Sequence, residues 1–229
     1  MGLPADLAHH ALRVLRLRDG ASIVLFNGHG GEFAAALRVS GIEARARIVA
    51  FDHVERESPL QLTLIQALVA SEKLDWIVEK AVELGVTRIV IVPTQRSVVR
   101  LDEERSARRL LQWAKTARAA CSQCGRNRVP AVEYLASFGA ALAAVATDQP
   151  RLLLLPQAAG SLPATVPGRR VVLAVGPEGG FNEVEVQLAA GAGFTAVQLG
   201  PRVLRTETAG LAALAALQAS AGDLATGVR

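Results

Sequence analysis

Two glycine-containing turns carry the polar residues of this chain that are best suited to hold a small ligand. The first, GPEGG, covers residues 176–180, and the second, LGPRVLRTETA, covers residues 199–209. Each follows a short apolar run, at residues 170–175 and 196–199, that predicts a buried strand, and each leads into a helix-like segment. Ligands of open α/β sheets bind outside the carboxyl ends of parallel strands, where loops meet helix N-termini. We therefore predict a pocket built by these two turns.

The first turn has the residues that a close approach of backbone to ligand requires. Its glycines allow positive φ and leave no Cβ in the way, and Pro177 restricts the start of the turn. Asn182 and Glu185 predict a capping box at the following helix. These features also fit a plain strand-to-helix connection, so the first turn alone does not identify a site.

The second turn contains a polar cluster that the helix after it does not need for folding. Two arginines, a glutamate and two threonines precede a segment of alanine, leucine and glycine. Such a cluster in front of an apolar helix is typical of a binding or catalytic site.

As a pair, GPEGGF and LG-x-R-[VI]-LRTETA resemble the signature of the RsmE family, the 16S ribosomal RNA uridine N3-methyltransferases of the SPOUT superfamily. The resemblance implies a C-terminal α/β domain whose chain end passes through a loop to form a trefoil knot, an exception to the rule that chains do not thread loops. It also implies S-adenosylmethionine as cofactor, 16S rRNA or the assembled 30S subunit as partner, and a homodimer.

The resemblance also suggests roles for individual residues. Methylation of uridine N3 requires loss of the imide proton and a site that favours the anionic base. We expect Arg205 to stabilise negative charge on the uracil oxygens, and Glu178 or Glu207 either to assist deprotonation or to balance the positive charge of the cofactor. No metal is expected. The residues expected to bind the cofactor are Leu173, Val175, Gly176, Pro177, Glu178, Gly179, Gly180, Leu199, Gly200, Val203, Leu204 and Thr208.

Composition predicts a globular enzyme. The chain has 229 residues, of which 51% are hydrophobic, enough for a sizeable core. No apolar run has the length of a membrane span, and the first residues lack the apolar core of a signal peptide, so we expect a cytoplasmic protein. Cys121 and Cys124 form a single CxxC pair without the further ligands of a zinc site, and we interpret them as reduced thiols in a helix.

Positive charge is concentrated in one segment. Residues 88–128 contain ten Lys or Arg and three acidic residues, a net charge of +7, which leaves −3 for the rest of a chain whose total is +4. A basic segment of this kind is typical of a phosphate-binding surface, although a solvated helix face has the same composition. Residues 123–126, QCGR, resemble the family's EQ-[SC]-GR, with Ser122 in place of the glutamate. The RNA-binding residues predicted in this segment are Arg96, Arg105, Arg108, Arg109 and Arg126.

The first 60 residues alternate short apolar runs with glycine-rich turns, which predicts a small β-barrel or sandwich. In the RsmE family the corresponding domain is a PUA-like barrel associated with RNA binding. The segment around Arg13 and Arg16 resembles the family's H-x-x-RVLR opening, and both arginines are candidate RNA contacts. Their spacing predicts that they share one helix face; an amphipathic helix with exposed arginines is the alternative.

Beyond residue 57 the pattern changes to alternating strands and helices, which is typical of an α/β domain. Strands are predicted at residues 60–67 and 88–92, with a helix between them that stops at Gly85. We place the PUA-like β-barrel domain at residues 1–65 and the SPOUT-type methyltransferase domain at residues 66–229.

Two other functions compete with uridine N3 methylation. AVGPEGGF also resembles the second motif of the SPOUT ribose 2′-O-methyltransferases, but LGPRVLRTETA lacks the asparagine that those enzymes carry in their third motif. The other is a non-catalytic RNA-binding protein, which binding of S-adenosylmethionine would distinguish. A nicotinamide dehydrogenase is disfavoured because no G-x-G-x-x-G opens a helix after the first strand.

Overall fold

The structure, a computed structural model, describes residues 1–224; residues 225–229, which the predicted second domain includes, lie outside the described residues. The described residues divide into two compact units. The first comprises Met1–Arg56 and Gly125–Arg128, and the second comprises Glu57–Cys124 and the chain from Val129 onward. The predicted division at residue 65 would cut through a strand, Gln61–Ala67, that lies wholly in the second unit.

The first unit is built on an antiparallel sheet of three strands in the order β1-β2-β3. Burial alternates along the second strand and in the first four residues of the third, so that Ala35 and Leu37 face the same side as Ala44 and Ala46. A short N-terminal helix, α1 (Ala5–His9), adds Ala8 to this small core. The strands are β1 (Ser22–Leu25), β2 (Glu32–Ser40) and β3 (Glu43–Asp52).

The predicted shared helix face of Arg13 and Arg16 is wrong. A π-helical turn, His10–Val14, follows α1 directly and has Leu15 as its C-cap. Arg16 lies beyond it with a φ of 53°, a left-handed conformation that no regular right-handed helix contains. Both side chains are exposed, but they project from different local structures.

The second unit contains a parallel sheet of seven strands in the order β6-β5-β4-β9-β7-β10-β8. Its strands are β4 (Gln61–Ala67), β5 (Val86–Val92), β6 (Ala131–Tyr134), β7 (Arg151–Leu154), β8 (Gly160–Ser161), β9 (Arg170–Val175) and β10 (Thr195–Gln198). Its helices are α2 (Ser71–Glu83), α3 (Glu103–Cys124), α4 (Phe138–Ala143), α5 (Glu183–Gly191) and α6 (Thr206–Ala221).

Helices cover both faces of the sheet, so its central strands read as continuous apolar runs. In β9, every residue from Val171 to Val175 is buried. One face packs against α4 and α5 through a cluster that includes Phe138, Phe181 and Ala189. Helices α2 and α6 contact the strands β5, β4 and β9. The predicted α/β alternation is therefore confirmed.

Two further sequence predictions concern helices. Cys121 and Cys124 lie in the last turn of α3, so their predicted position in a helix is confirmed. Among residues 1–224, no helix is both long and apolar enough to cross a membrane.

Candidate functional site

A cavity of about 610 Å³ opens at the carboxyl ends of β7, β9 and β10, and the two glycine-containing turns form most of its wall. The strand order reverses beside β4 and β9, which is where open α/β sheets place their ligands. Its volume is in the range of about 300–1,000 Å³ that small-molecule sites have. The lining residues are Lys73, Arg96, Leu154, Leu155, Pro156, Val175, Gly176, Pro177, Glu178, Gly179, Gly180, Phe181, Val197, Gln198, Leu199, Gly200, Arg202, Val203, Leu204, Arg205, Thr206 and Ala209.

The first turn is held rigidly between β9 and α5. A Cβ on Gly176 would lie 3.2 Å from the Phe181 ring and 3.3 Å from the Gly180 backbone, so only glycine fits without a shift. The predicted capping box is present, because the Asn182 side chain accepts from the backbone N–H of Glu185 and the Glu185 carboxylate accepts from that of Asn182. Glu185 also accepts a 2.8 Å bond from the Gln95 N–H. The turn therefore presents its backbone to the cavity in a fixed geometry.

The second turn is fixed at its two ends. Gly200 has a φ of +69°, which side-chain-bearing residues rarely adopt, and a Cβ placed there would meet no atom within 4 Å. At the other end, the Thr206 hydroxyl donates a 2.6 Å hydrogen bond to the carbonyl oxygen of Gly176. This bond joins the first residue of α6 to the first residue of the GPEGG turn.

A lysine from α2 connects the carboxylates of both turns. Lys73 Nζ lies 2.8 Å from Glu178 Oε1 and 3.6 Å from Glu207 Oε2. The hydrogen bond to Glu178 raises the pKa of Lys73. Burial acts to raise the pKa of Glu178, but the hydrogen bond from Lys73, a backbone hydrogen bond and the positive charge of Lys73 together outweigh it, so this pKa lies below its ordinary value. Glu207 Oε2 is buried and, within residues 1–224, has no hydrogen-bond partner.

Arg205 has a different environment from the two acids. Its backbone forms the N-cap of α6, its side chain is exposed, and it lines the cavity. Within residues 1–224, no carboxylate forms an ion pair with it, because Glu207, the acid nearest in sequence, is engaged by Lys73. Arg205 is thus a cation at the cavity wall that no acid of the described chain neutralises.

Ten of the twelve predicted cofactor-binding residues line the cavity, and Leu173 and Thr208 do not. Leu173 is fully buried in the middle of β9, whereas the cavity begins at the carboxyl end of that strand. Thr208 is exposed in the first turn of α6. The sequence did not predict that the end of β7, Arg202, Thr206 and Lys73 line the cavity.

For Thr206 a signal was available, because it lies within the motif LRTET. For Lys73 there was none, because nothing in the sequence links it to carboxylates more than a hundred positions away.

The arginines predicted to bind RNA are found in several environments. Arg96 lines the cavity and donates to the carbonyl oxygen of Gly179. Arg126 belongs to the first unit and is only 6% exposed, so it does not contribute to an open basic surface. On α3, three arginines pair with acids of their own unit: Arg105 with Asp102, Arg108 with Glu104 and Arg109 with Asp75.

Two basic residues of α3 that were not singled out are more available. Lys115 and Arg118 are exposed and form no ion pair within residues 1–224. Their spacing from each other and from Arg108 places all three on one helix face. Within the same described range, no group of three or more His, Cys, Asp or Glu residues is placed to hold a metal ion.

Comparison with known proteins identifies the family. Residues 56–218 match the family model of the RNA methyltransferase domain, and residues 3–49 match that of the RNA methyltransferase PUA domain. Ribosomal RNA small subunit methyltransferase E of Bacillus subtilis (strain 168) is 31% identical over 228 residues, which covers 94% of this chain and 88% of that protein.

Solved structures agree over almost the whole chain. A ribosomal RNA small subunit methyltransferase E from Neisseria gonorrhoeae bound to S-adenosyl methionine has 40% identity and a TM-score of 0.88, and the match covers 97% of this chain and 92% of that one. A methyltransferase from Legionella pneumophila in complex with the cofactor SAM has 37% identity and a TM-score of 0.91, covering 97% and 93%.

The fold and the cavity thus define an RNA methyltransferase with an N-terminal PUA domain. Within that class, the chain belongs to the family of ribosomal RNA small subunit methyltransferase E. The family predicted from GPEGGF and LRTETA is confirmed.

Proposed function

We propose that this protein transfers the methyl group of S-adenosylmethionine to N3 of a uridine in the decoding region of 16S ribosomal RNA. The observation that carries the proposal is the cavity formed by the GPEGG and LGPRVLRTETA turns, with the unpaired Arg205 in its wall. The names of the relatives and the cofactor bound in two similar structures support it.

The cavity suits S-adenosylmethionine, which supplies an electrophilic methyl group when bound. Apolar side chains such as Leu155, Leu199 and Leu204 form surfaces on which flat rings can pack, and the two turns offer backbone donors and acceptors. Glu178, which lines the cavity, and Glu207 share a single lysine, Lys73, so this group of three side chains keeps one negative charge in excess. That charge favours a positively charged cofactor.

Arg205 stabilises the uracil anion in this proposal. Removal of the N3 proton leaves negative charge on the base oxygens. An unpaired guanidinium can stabilise this charge by donating two parallel N–H hydrogen bonds. The low pKa of Glu178 makes this carboxylate a weak base at neutral pH. We therefore assign Glu178 and Glu207 to charge balance and to holding Lys73, in preference to deprotonation.

Replacement of Arg205 tests this role. Arg205→Ala should lower the rate of methyl transfer by about a hundredfold or more, the usual loss for one preorganised charge-stabilising donor. Arg205→Lys should restore only part of the rate because a point charge cannot make a planar two-pronged contact. S-adenosylmethionine affinity, measured by calorimetry, should change little.

The control is Arg170→Ala, an exposed arginine at the amino end of β9, the opposite end from the cavity. Arg170→Ala should retain the wild-type rate. An Arg205→Ala protein with a wild-type rate would contradict a catalytic role for this side chain. A variant that melts earlier and loses activity would instead assign Arg205 a structural role.

We propose that RNA contacts the exposed face of α3 that carries Arg108, Lys115 and Arg118, together with Arg13 and Arg16 of the PUA domain. The exposure of these five cations and the absence of acidic partners for Lys115 and Arg118 within residues 1–224 support this assignment. Arg105 and Arg108 each pair with an acid of their own unit but keep about two-thirds of the side chain exposed, whereas Arg109, 26% exposed and paired with Asp75, is a weaker candidate. A substrate assembled in the 30S subunit would offer phosphates to both groups of cations.

We propose a cytoplasmic homodimer with a trefoil knot, as the family resemblance implies. Sedimentation at micromolar concentration should give the dimer mass, and a monomer mass would refute the dimer. Fractionated cells should contain the protein with the ribosomes, and a membrane-bound protein would refute the cytoplasmic location.

The knot is tested by joining the chain ends in the native state and then denaturing the circular protein. A knotted circle migrates faster in a gel than an unknotted one of equal length.

A further inference from the structure

A buried glutamine lies behind the cavity and contacts the residue that joins its two turns. Gln66 is the penultimate residue of β4 and pairs in register with Val175, the residue before the GPEGG turn. It is 0% exposed. Its Nε2 donates a 3.2 Å hydrogen bond to the Thr206 hydroxyl and a 3.1 Å bond to the carbonyl oxygen of Ala67. Thr206 in turn donates its hydroxyl proton to Gly176.

The direction of these bonds follows from the number of protons available. A threonine hydroxyl has one proton, and here it is used on the Gly176 carbonyl oxygen. The hydroxyl oxygen can then only accept, so the group facing it must be the NH₂ of Gln66. If the amide were reversed, its oxygen would compete for the Thr206 proton, and the Gly176 carbonyl would lose its partner. The amide orientation of Gln66 therefore decides whether the Gly176 carbonyl is held.

The rest of the amide is enclosed by the helix. Gln66 Oε1 is buried without a hydrogen-bond partner within residues 1–224, and it lies 3.6 Å from the position of a Cβ on Gly210. The same Cβ would lie 3.4 Å from the Val175 side chain. Helix α6 therefore packs directly against the Gln66 amide and the Val175 side chain at Gly210. A buried polar atom left without a partner is costly and is retained where the group has another task.

We infer that Gln66 is a positioning residue for the cofactor cavity: through Thr206 it holds the Gly176 carbonyl and keeps the GPEGG and LRTET turns in binding geometry. Gln66 does not line the cavity. It acts through Thr206 and Gly176, which do. This inference rests on the proposed function, since it assigns the purpose of the network to binding S-adenosylmethionine.

The chain provides a matched control for general stability. Gln218 is also a fully buried glutamine, and it lies near the other end of α6. It accepts a 2.6 Å bond from the Ser58 hydroxyl and donates a 2.9 Å bond to the carbonyl oxygen of Leu84. Gln218→Met and Gln66→Met remove the same chemical group from the same kind of environment. Only Gln66→Met removes it next to the cavity.

The experiment measures S-adenosylmethionine affinity by calorimetry, KM and kcat with 30S subunits, and melting temperature for each full-length variant. Gln66→Met should bind S-adenosylmethionine about tenfold more weakly, a loss of about 1.4 kcal/mol. Its KM for S-adenosylmethionine should rise, whereas kcat should stay within about twofold of wild type because the reacting groups are unchanged. Gln66→Glu should lose at least as much, since its carboxylate takes the Thr206 proton. Gln218→Met should melt earlier with unchanged affinity.

Substitution of Thr206 keeps the test decisive if Gln66→Met does not fold. Thr206→Ser retains the hydroxyl and should bind as wild type does, whereas the isosteric Thr206→Val should bind about tenfold or more weakly. A folded Gln66→Met protein with wild-type affinity would overturn the inference, as would equal affinities of Thr206→Ser and Thr206→Val or an equal affinity loss in Gln218→Met. Failure of the wild-type protein to bind S-adenosylmethionine would instead refute the proposed function.

Discussion

Gly200 and Gly168 form a pair that separates the effect of backbone strain from the effect of filling the cavity. Their φ angles are +69° and +67°, and a Cβ placed on either would meet no atom within 4 Å. Both are exposed residues of the second unit, but only Gly200 lines the cavity. A left-handed conformation costs an L-residue about 1–2 kcal/mol. Valine at either position should therefore lower the free energy of unfolding by the same amount, and each variant should melt ~2–8 °C below wild type.

The two variants should differ in cofactor binding. Because Gly200 lines the cavity, the side chain of Gly200→Val should take up space that the bound cofactor needs. Overpacking costs about 1–3 kcal/mol, which corresponds to about 5–150-fold in affinity. Gly168→Val should bind S-adenosylmethionine as wild type does. Calorimetry and thermal melting of both proteins provide the comparison. Equal affinities of the two variants, in folded proteins, would refute the assignment of the second turn to the cofactor.

The remaining predictions concern the charge cluster and the RNA surface. Lys73→Met should raise the pKa of Glu178 toward its ordinary value of about 4.5, because the hydrogen bond that lowers it is lost. A depressed carboxyl pKa stabilises the folded state above the unfolded pKa and loses that effect as the pH falls, so wild type should melt above Lys73→Met at pH 7 and the difference should vanish in acid; a difference that grows in acid would contradict this. Changing Arg108, Lys115 and Arg118 together to Gln should weaken RNA binding and reduce the salt slope by about one unit for each lost phosphate contact. The matched change of Arg169 and Arg170 to Gln should leave the slope unaltered, and equal slopes for all three proteins would place RNA elsewhere.

Local signals in the sequence predicted most of the framework of the site. The strand at residues 170–175, the capping box of Asn182 and Glu185, and the two turns are encoded by residues within a few positions of one another. Such signals depend on backbone propensity and on the period of apolar residues, and both can be read from a single sequence. For this reason ten of the twelve predicted cofactor residues line the cavity.

The features that were missed depend on contacts between distant parts of the chain. The hydrogen bond of Lys73 with Glu178 and the network of Gln66 with Thr206 join residues separated by 105 and 140 positions. No periodicity predicts such pairs, because only the folded sheet brings them together. The helix predicted to hold Arg13 and Arg16 failed for a local reason, since the chain turns into a left-handed conformation at Arg16. Likewise, the return of residues 125–128 to the first unit is a tertiary contact without a local signal.

The most direct test of the central claim is the identity of the methylated nucleoside. Purified protein would be incubated with isotopically labelled S-adenosylmethionine and 30S subunits from a strain that lacks the corresponding methyltransferase gene, and the 16S RNA would be digested and analysed by mass spectrometry. We expect the label in 3-methyluridine, at one position in the decoding region, and no label when Arg205→Ala replaces the wild-type protein for the same short time. Label in a ribose-methylated nucleoside, or in no nucleoside of 16S RNA, would contradict the account.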